Sequence, residues 1–113
     1  MFGFYGMLDN YESRKVANTK VNEGIIDTCA VTDSSKPYET GIQHSQYNSG
    51  NWVIVELYDT KEQALTGHNK WVKAFSGKKL PAQITDVNTC DIQKLAKAVG
   101  HTFHKSHKKA NKR

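Results

Sequence analysis

Apolar and polar residues alternate with a period of two through the first half of the chain and shift to a helical period in the second. Residues 11–21 carry Val16 and Val21 among polar neighbours and predict a strand. Asn22-Glu23-Gly24 supplies turn chemistry, because Asn and Gly accept left-handed backbone. Residues 25–32 then run back, with Ile26, Thr28 and Ala30 on one face and Ile25, Asp27, Cys29 and Val31 on the other. This is the pattern of a β-hairpin. Residues 33–37 form a loop, residues 38–44 predict a third strand, and SQYNSGN at 45–51 is a second turn. The fourth strand, Trp52 to Tyr58, is the strongest, apolar on both faces except at Glu56. That pattern predicts a central strand covered on both sides, the second cover being the N-terminal segment or a second subunit.

The helical period begins after Asp59. Thr60 is a good N-cap, and Gln63 three residues on completes a capping-box pattern. Ala64, Leu65, His68, Trp71, Val72 and Phe75 make one apolar stripe, with Lys61, Lys70 and Lys73 off it. Gly77 is the expected C-terminal stop, followed by Lys78 and Lys79 near the negative end of the helix dipole. Gly67 inside the helix costs about 1 kcal/mol relative to alanine, which predicts that something packs closely there. A short strand over residues 83–87 follows, then a second helix capped by Asp91 with Ile92, Leu95, Ala96 and Val99 as its apolar face. The sum is an α+β domain: an antiparallel sheet of about four strands packed by one main amphipathic helix, with a short C-terminal helix. No internal repeat is visible.

Charge changes this picture at one end only. The 113 residues carry 16 Lys+Arg and 11 Asp+Glu, a formal net charge of +5. The excess comes entirely from Lys105, Lys108, Lys109, Lys112 and Arg113 in a segment with no acid. The expected organisation is one domain over 1–100 and a basic, His/Lys-rich tail over 101–113. A cationic arm on a neutral body points to a polyanion, nucleic acid or an acidic protein surface, with His104 and His107 adding pH-sensitive charge. No run approaches the roughly 18 apolar residues of a membrane span. The opening residues lack the pattern of a signal peptide, so the expected compartment is cytosolic, with Cys29 and Cys90 as reduced thiols.

Candidate chemistry is sparse. Glu39, His44, Glu56 and His68 are either a buried polar network or an acid/base or metal site, the network being the commoner outcome for such groups. The two cysteines and five histidines lack the close spacing of zinc motifs, so neither metal nor cofactor is expected. No nucleophile context and no phosphate-binding glycine loop is present, and the chain reads as non-enzymatic. Among the aromatics, Trp71 and Phe75 read as core. Tyr47 and Trp52, with Asn48 between them in the glycine-containing turn, form the expected exposed interaction surface.

Residues 37–72, PYETGIQHSQYNSGNWVIVELYDTKEQALTGHNKW, resemble a family of small uncharacterised proteins of tailed bacteriophages and prophages. The resemblance is carried by Tyr38-Glu39-Thr40, His44, Tyr47-Asn48, Gly50, Trp52, Glu56, Tyr58, Gly67-His68 and Trp71. It extends over most of residues 1–90. Ser45 stands where the family usually has proline, which affects only the turn, and the basic tail is not part of the resemblance. What it implies is a phage origin and a place in the host cytoplasm or in the virion. The expected role is an accessory binding protein whose body offers a protein–protein or self-association surface. The alternative is a capsid- or tail-associated structural component, and a metal-dependent enzyme around His44, Glu56 and His68 ranks below both.

Overall fold

The computed structural model describes residues 12–32, 34–87 and 101–106. Its centre is a four-stranded antiparallel sheet in the order β1 (Lys15–Val21), β2 (Gly24–Ala30), β3 (Tyr38–His44), β4 (Val53–Tyr58). One helix, α1 (Lys61–Ser76), packs on one face of it. Two further strands, β5 (Gln83–Asp86) and β6 (His101–His104), form a separate antiparallel pair. The α+β class read from the hydrophobic pattern is the observed one.

The β1–β2 hairpin turns at Asn22-Glu23, with Glu23 in left-handed backbone at φ 69°. The second predicted turn is tighter than its composition suggests. Asn48, Ser49 and Gly50 all have positive φ, so the chain makes a left-handed turn that asparagine and glycine tolerate and serine accepts only under strain. At the start of α1 the capping box is complete. The Thr60 hydroxyl accepts the Gln63 backbone N–H while the Gln63 side chain accepts the Thr60 N–H. Gly77 ends the helix in extended rather than left-handed backbone.

Two expectations are corrected. Among the described residues the Trp52–Tyr58 strand is not central: β4 is the last strand of the four-stranded sheet, and on its outer side the Val87 N–H donates to the Ile54 carbonyl. Its apolar residues on both faces have a different cause, an irregularity in register. Thr40 pairs with Glu56 but Gly41 pairs with Ile54, so Val55 is an extra residue. The bulge shifts the alternation by one. Val53 and Val55 before it, and Glu56 and Tyr58 after it, therefore all reach the helix side. Leu65, placed on the apolar stripe of the helix, is 41% exposed, and its place in the packing is taken by Gly67. The second helix expected after Asp91, and Cys90 with it, lie outside the described residues.

The helix-covered face has two layers. Ile26, Ile42, Val53 and Val55 meet Phe75, Tyr47 and Ile84 in the apolar one. Two positions along the strands, Thr28 and Thr40 replace Ile26 and Ile42 and remain fully buried. His68 stands over this second layer, two helical turns before Phe75. Gly67 beside it explains the glycine within the helix: a Cβ there would overlap the Tyr58 ring.

Candidate functional site

The structure separates the four polar candidates into three places. Glu56 and His68 belong to one chain of hydrogen bonds, although they do not touch. The Thr19 hydroxyl lies 2.9 Å from His68 Nε2, and His68 Nδ1 lies 2.7 Å from the Thr28 hydroxyl. Thr28 meets Thr40 at 2.5 Å, and Thr40 meets the Tyr58 hydroxyl at 2.9 Å. Tyr58 donates to Glu56 Oε1 at 3.1 Å, the same oxygen that receives Trp71 Nε1–H and Lys70 Nζ, each at 2.8 Å.

The carboxylate at one end gives the whole chain a direction. An ionised carboxylate only accepts, so the Tyr58 O–H points to Glu56 and its oxygen must accept from Thr40. Thr40 then accepts from Thr28, and Thr28 accepts from His68 Nδ1–H. Burial favours the neutral ring, and in that form His68 Nε2 accepts the Thr19 hydroxyl, so both nitrogens are engaged. Burial holds the His68 pKa below its ordinary 6.5, with the Asp27 charge opposing. For Glu56 burial acts to raise the pKa, but hydrogen bonds from Lys70, Trp71 and Tyr58 and the Lys70 charge keep it below 4.5. Burial pushes Tyr58 up to about 12. These shifts favour the charge states that the hydrogen-bond chain requires.

His44 stands elsewhere, among the aromatic rings of Tyr47 and Phe75 at centroid distances of 5.2 and 5.4 Å. Its Nδ1 accepts the Gln46 backbone N–H at 3.1 Å. Glu39 is on the opposite face of the sheet, because it is one residue out of phase with Thr40, Ile42 and His44 on β3. Among the described residues no group of three or more His, Cys, Asp or Glu side chains is arranged to hold a metal ion.

The expected aromatic surface is half corrected. Tyr47 is only 1% exposed, and its hydroxyl donates to the Pro81 carbonyl at 2.5 Å, which makes it a core residue. Trp52 is 44% exposed, and the Asn48 amide donates to its carbonyl.

The basic segment begins differently from a free arm. His101–His104 is strand β6, in register with β5, so that Phe103 faces Ile84 and His104 faces Gln83. Phe103 packs against the core. The chain is then held twice more, by Lys105 N–H to Ala82 O and Ser106 N–H to Gln46 O, both 2.8 Å. The body thus extends through Ser106, and residues 107–113, with His107, Lys108, Lys109, Lys112 and Arg113, lie outside the described residues. Lys105 shares a cleft of about 370 Å³ with Lys78, Asn22, Glu23 and Gln46. That Lys78 and Lys105 line one cleft was not legible in the sequence, since it depends on the β5–β6 pairing.

The fold defines an α+β protein with a hydrogen-bond chain running from Thr19 to Glu56 under the helix. Comparison with protein-family models, with curated proteins and with solved structures finds no match for this chain.

Proposed function

We propose that this chain is a non-enzymatic binding protein, a phage accessory protein in keeping with the resemblance of residues 37–72, whose C-terminal cations anchor it to nucleic-acid phosphates. The observation that carries the reading is the pinning of the start of the basic segment by β6, which puts Lys105 on the same cleft as Lys78. A cationic segment that starts from a fixed strand departs from a defined place on the domain. The hydrogen-bond chain supports the non-enzymatic part, because both imidazole nitrogens and Oε1 of the carboxylate are engaged within the protein.

The test is a salt titration of DNA and RNA binding by the full chain and by a chain ending at Ser106. The shortened chain loses Lys108, Lys109, Lys112 and Arg113 and keeps β6. If each cation meets one phosphate, the log–log salt slope on duplex DNA becomes shallower by about 3–4 units. Equal binding by both chains, or no binding by either, overturns the proposal. Cutting at residue 100 would not serve, since it also removes Phe103 from the core. Abundant copies in purified virions would assign the protein to the particle and overturn the accessory reading.

A further inference from the structure

The β5–β6 ribbon has two unlike faces. Ile84 and Phe103 pair across it and turn inward, Ile84 being 3% exposed and Phe103 packed against the core. The period of two puts Gln83 and Thr85 of β5, with Thr102 and His104 of β6, on the other face. Gln83, Thr102 and His104 are exposed and Thr85 is half-buried. Gln83 pairs with His104 and Thr85 with Thr102, and the two threonine hydroxyls lie 3.1 Å apart. Among the described residues the Gln83 amide and the His104 ring make no side-chain hydrogen bond. The acid of β5, Asp86, falls in phase with Ile84 and so belongs to the inward side.

Size and charge decide what such a face fits. Each strand has four residues, which span about 13 Å, and paired strands stand about 5 Å apart. The major groove of B-DNA, about 12 Å wide, admits a two-stranded ribbon. Amides, imidazoles and hydroxyls both donate and accept, as reading base edges there requires, and a threonine methyl can also meet the thymine methyl. Cations border one end of the ribbon. Lys105 follows β6 directly, and its N–H donates to the Ala82 carbonyl just before β5. Lys78 and Lys79 are exposed in the segment leading into β5, and Lys78 lines one cleft with Lys105. Glu23 of that cleft receives the Ser45 hydroxyl and the Gln46 amide. Lys108, Lys109, Lys112 and Arg113 continue the positive charge along the chain. A face of hydrogen-bonding side chains is thus followed at once by groups that attract phosphate. An A-form RNA duplex does not suit it, because that major groove is too deep and narrow for side chains to read.

We infer that the outward face of the β5–β6 ribbon enters the major groove of duplex DNA, where Gln83, Thr85, Thr102 and His104 contact base edges while the neighbouring cations hold the phosphates. The inference rests on the nucleic-acid reading proposed above. It adds a base preference, which cations alone do not supply.

The experiment selects bound duplexes from a random-sequence DNA library with the full chain. It then measures binding to the enriched sequence, to a scrambled duplex and to an RNA duplex of the same length. The full chain is expected to enrich a motif of about four base pairs, the length the ribbon covers at about 3.4 Å per pair. It should hold that motif at least about tenfold tighter than the scrambled duplex. Gln83→Ala/His104→Ala should erase the preference while keeping the thermal midpoint, the affinity for scrambled duplex and its salt dependence. Thr102→Val, which keeps the side chain's shape, should reduce the preference in part. Binding with no enriched motif, a preference unchanged in both variants, or an RNA duplex held as tightly as the enriched DNA overturns the ribbon and leaves the anchoring by the tail standing. Failure to bind any duplex overturns both.

Discussion

The two faces of the four-stranded sheet hold similar residue types and use them in opposite ways. On the helix side, three threonines, a histidine, a tyrosine and a glutamate are joined into one directed chain from Thr19 to Glu56. On the other side, Asp27, Cys29, Glu39 and Trp52 surround the space left by Gly41. The difference teaches what a helix cover demands of polar groups in a small domain. Polar groups covered by a helix must satisfy one another, because each orphan costs about 1–3 kcal/mol. Titratable residues in the interior of this protein are therefore accounted for by their own packing.

The comparison breaks most readily at Gly67. Gly67→Ala should destabilise the fold by about 2–3 kcal/mol in urea denaturation, since the new Cβ collides with the Tyr58 ring. Helix propensity alone predicts a gain of about 1 kcal/mol. A stabilised variant would show that Tyr58 does not pack against the helix backbone, and the ordered chain would lose its anchor.

Thr28→Val comes next. Thr28 links His68 to Thr40, and valine keeps the shape while leaving both neighbours without their bond. The expected loss is about 2 kcal/mol by the same measurement. A loss within about 0.5 kcal/mol would place Thr28 with ordinary surface positions and remove the contrast between the faces.

The pH dependence sharpens it further. His68 is neutral in the fold, and its folded pKa lies below the ordinary 6.5. The unfolded chain therefore takes up the proton first. Stability contributed by the neutral ring is present above about pH 6.5 and is lost as pH falls through the folded pKa. Glu56, also depressed, adds a second loss at lower pH, below 4.5. Denaturation midpoints measured between about pH 7.5 and 5 should decline in the parent. They should decline distinctly less in His68→Gln. A parent curve that is flat across this window would mean that His68 charges freely in the fold.

The smallest effect belongs to the open face. Trp52→Ala should cost only about 0.5–1 kcal/mol, because the indole is 44% exposed and packs mainly over Gly41 and Ile54. A large stability loss would reclassify Trp52 as core.

Much of the architecture was readable in advance because its signals are local. Alternation gave the β1–β2 hairpin and β3, and the Thr60–Gln63 pair marked the start of the helix. Gly67 announced a close contact without naming Tyr58. Tyr47 was misplaced because its burial depends on Pro81, 34 residues away, which offers the acceptor for its hydroxyl. The polar candidates were partly legible: a strand's period of two already puts Glu39 on the face opposite His44. Nothing local told that His68 would reach Glu56 through three hydroxyls rather than directly.

The order of strands and helix, the helix cap, the α+β class and the confinement of net charge to the last residues follow from the sequence by itself, since each is set by neighbours within a few positions. Tertiary structure alone decided the rest. The bulge at Val55 turned Glu56 toward the helix, and the β5–β6 pairing converted the start of a basic tail into a strand. Cross-strand register assembled the space over Gly41 from three strands. Register is a property of pairs of distant segments, fixed by which faces bury together, and no single stretch of chain contains it.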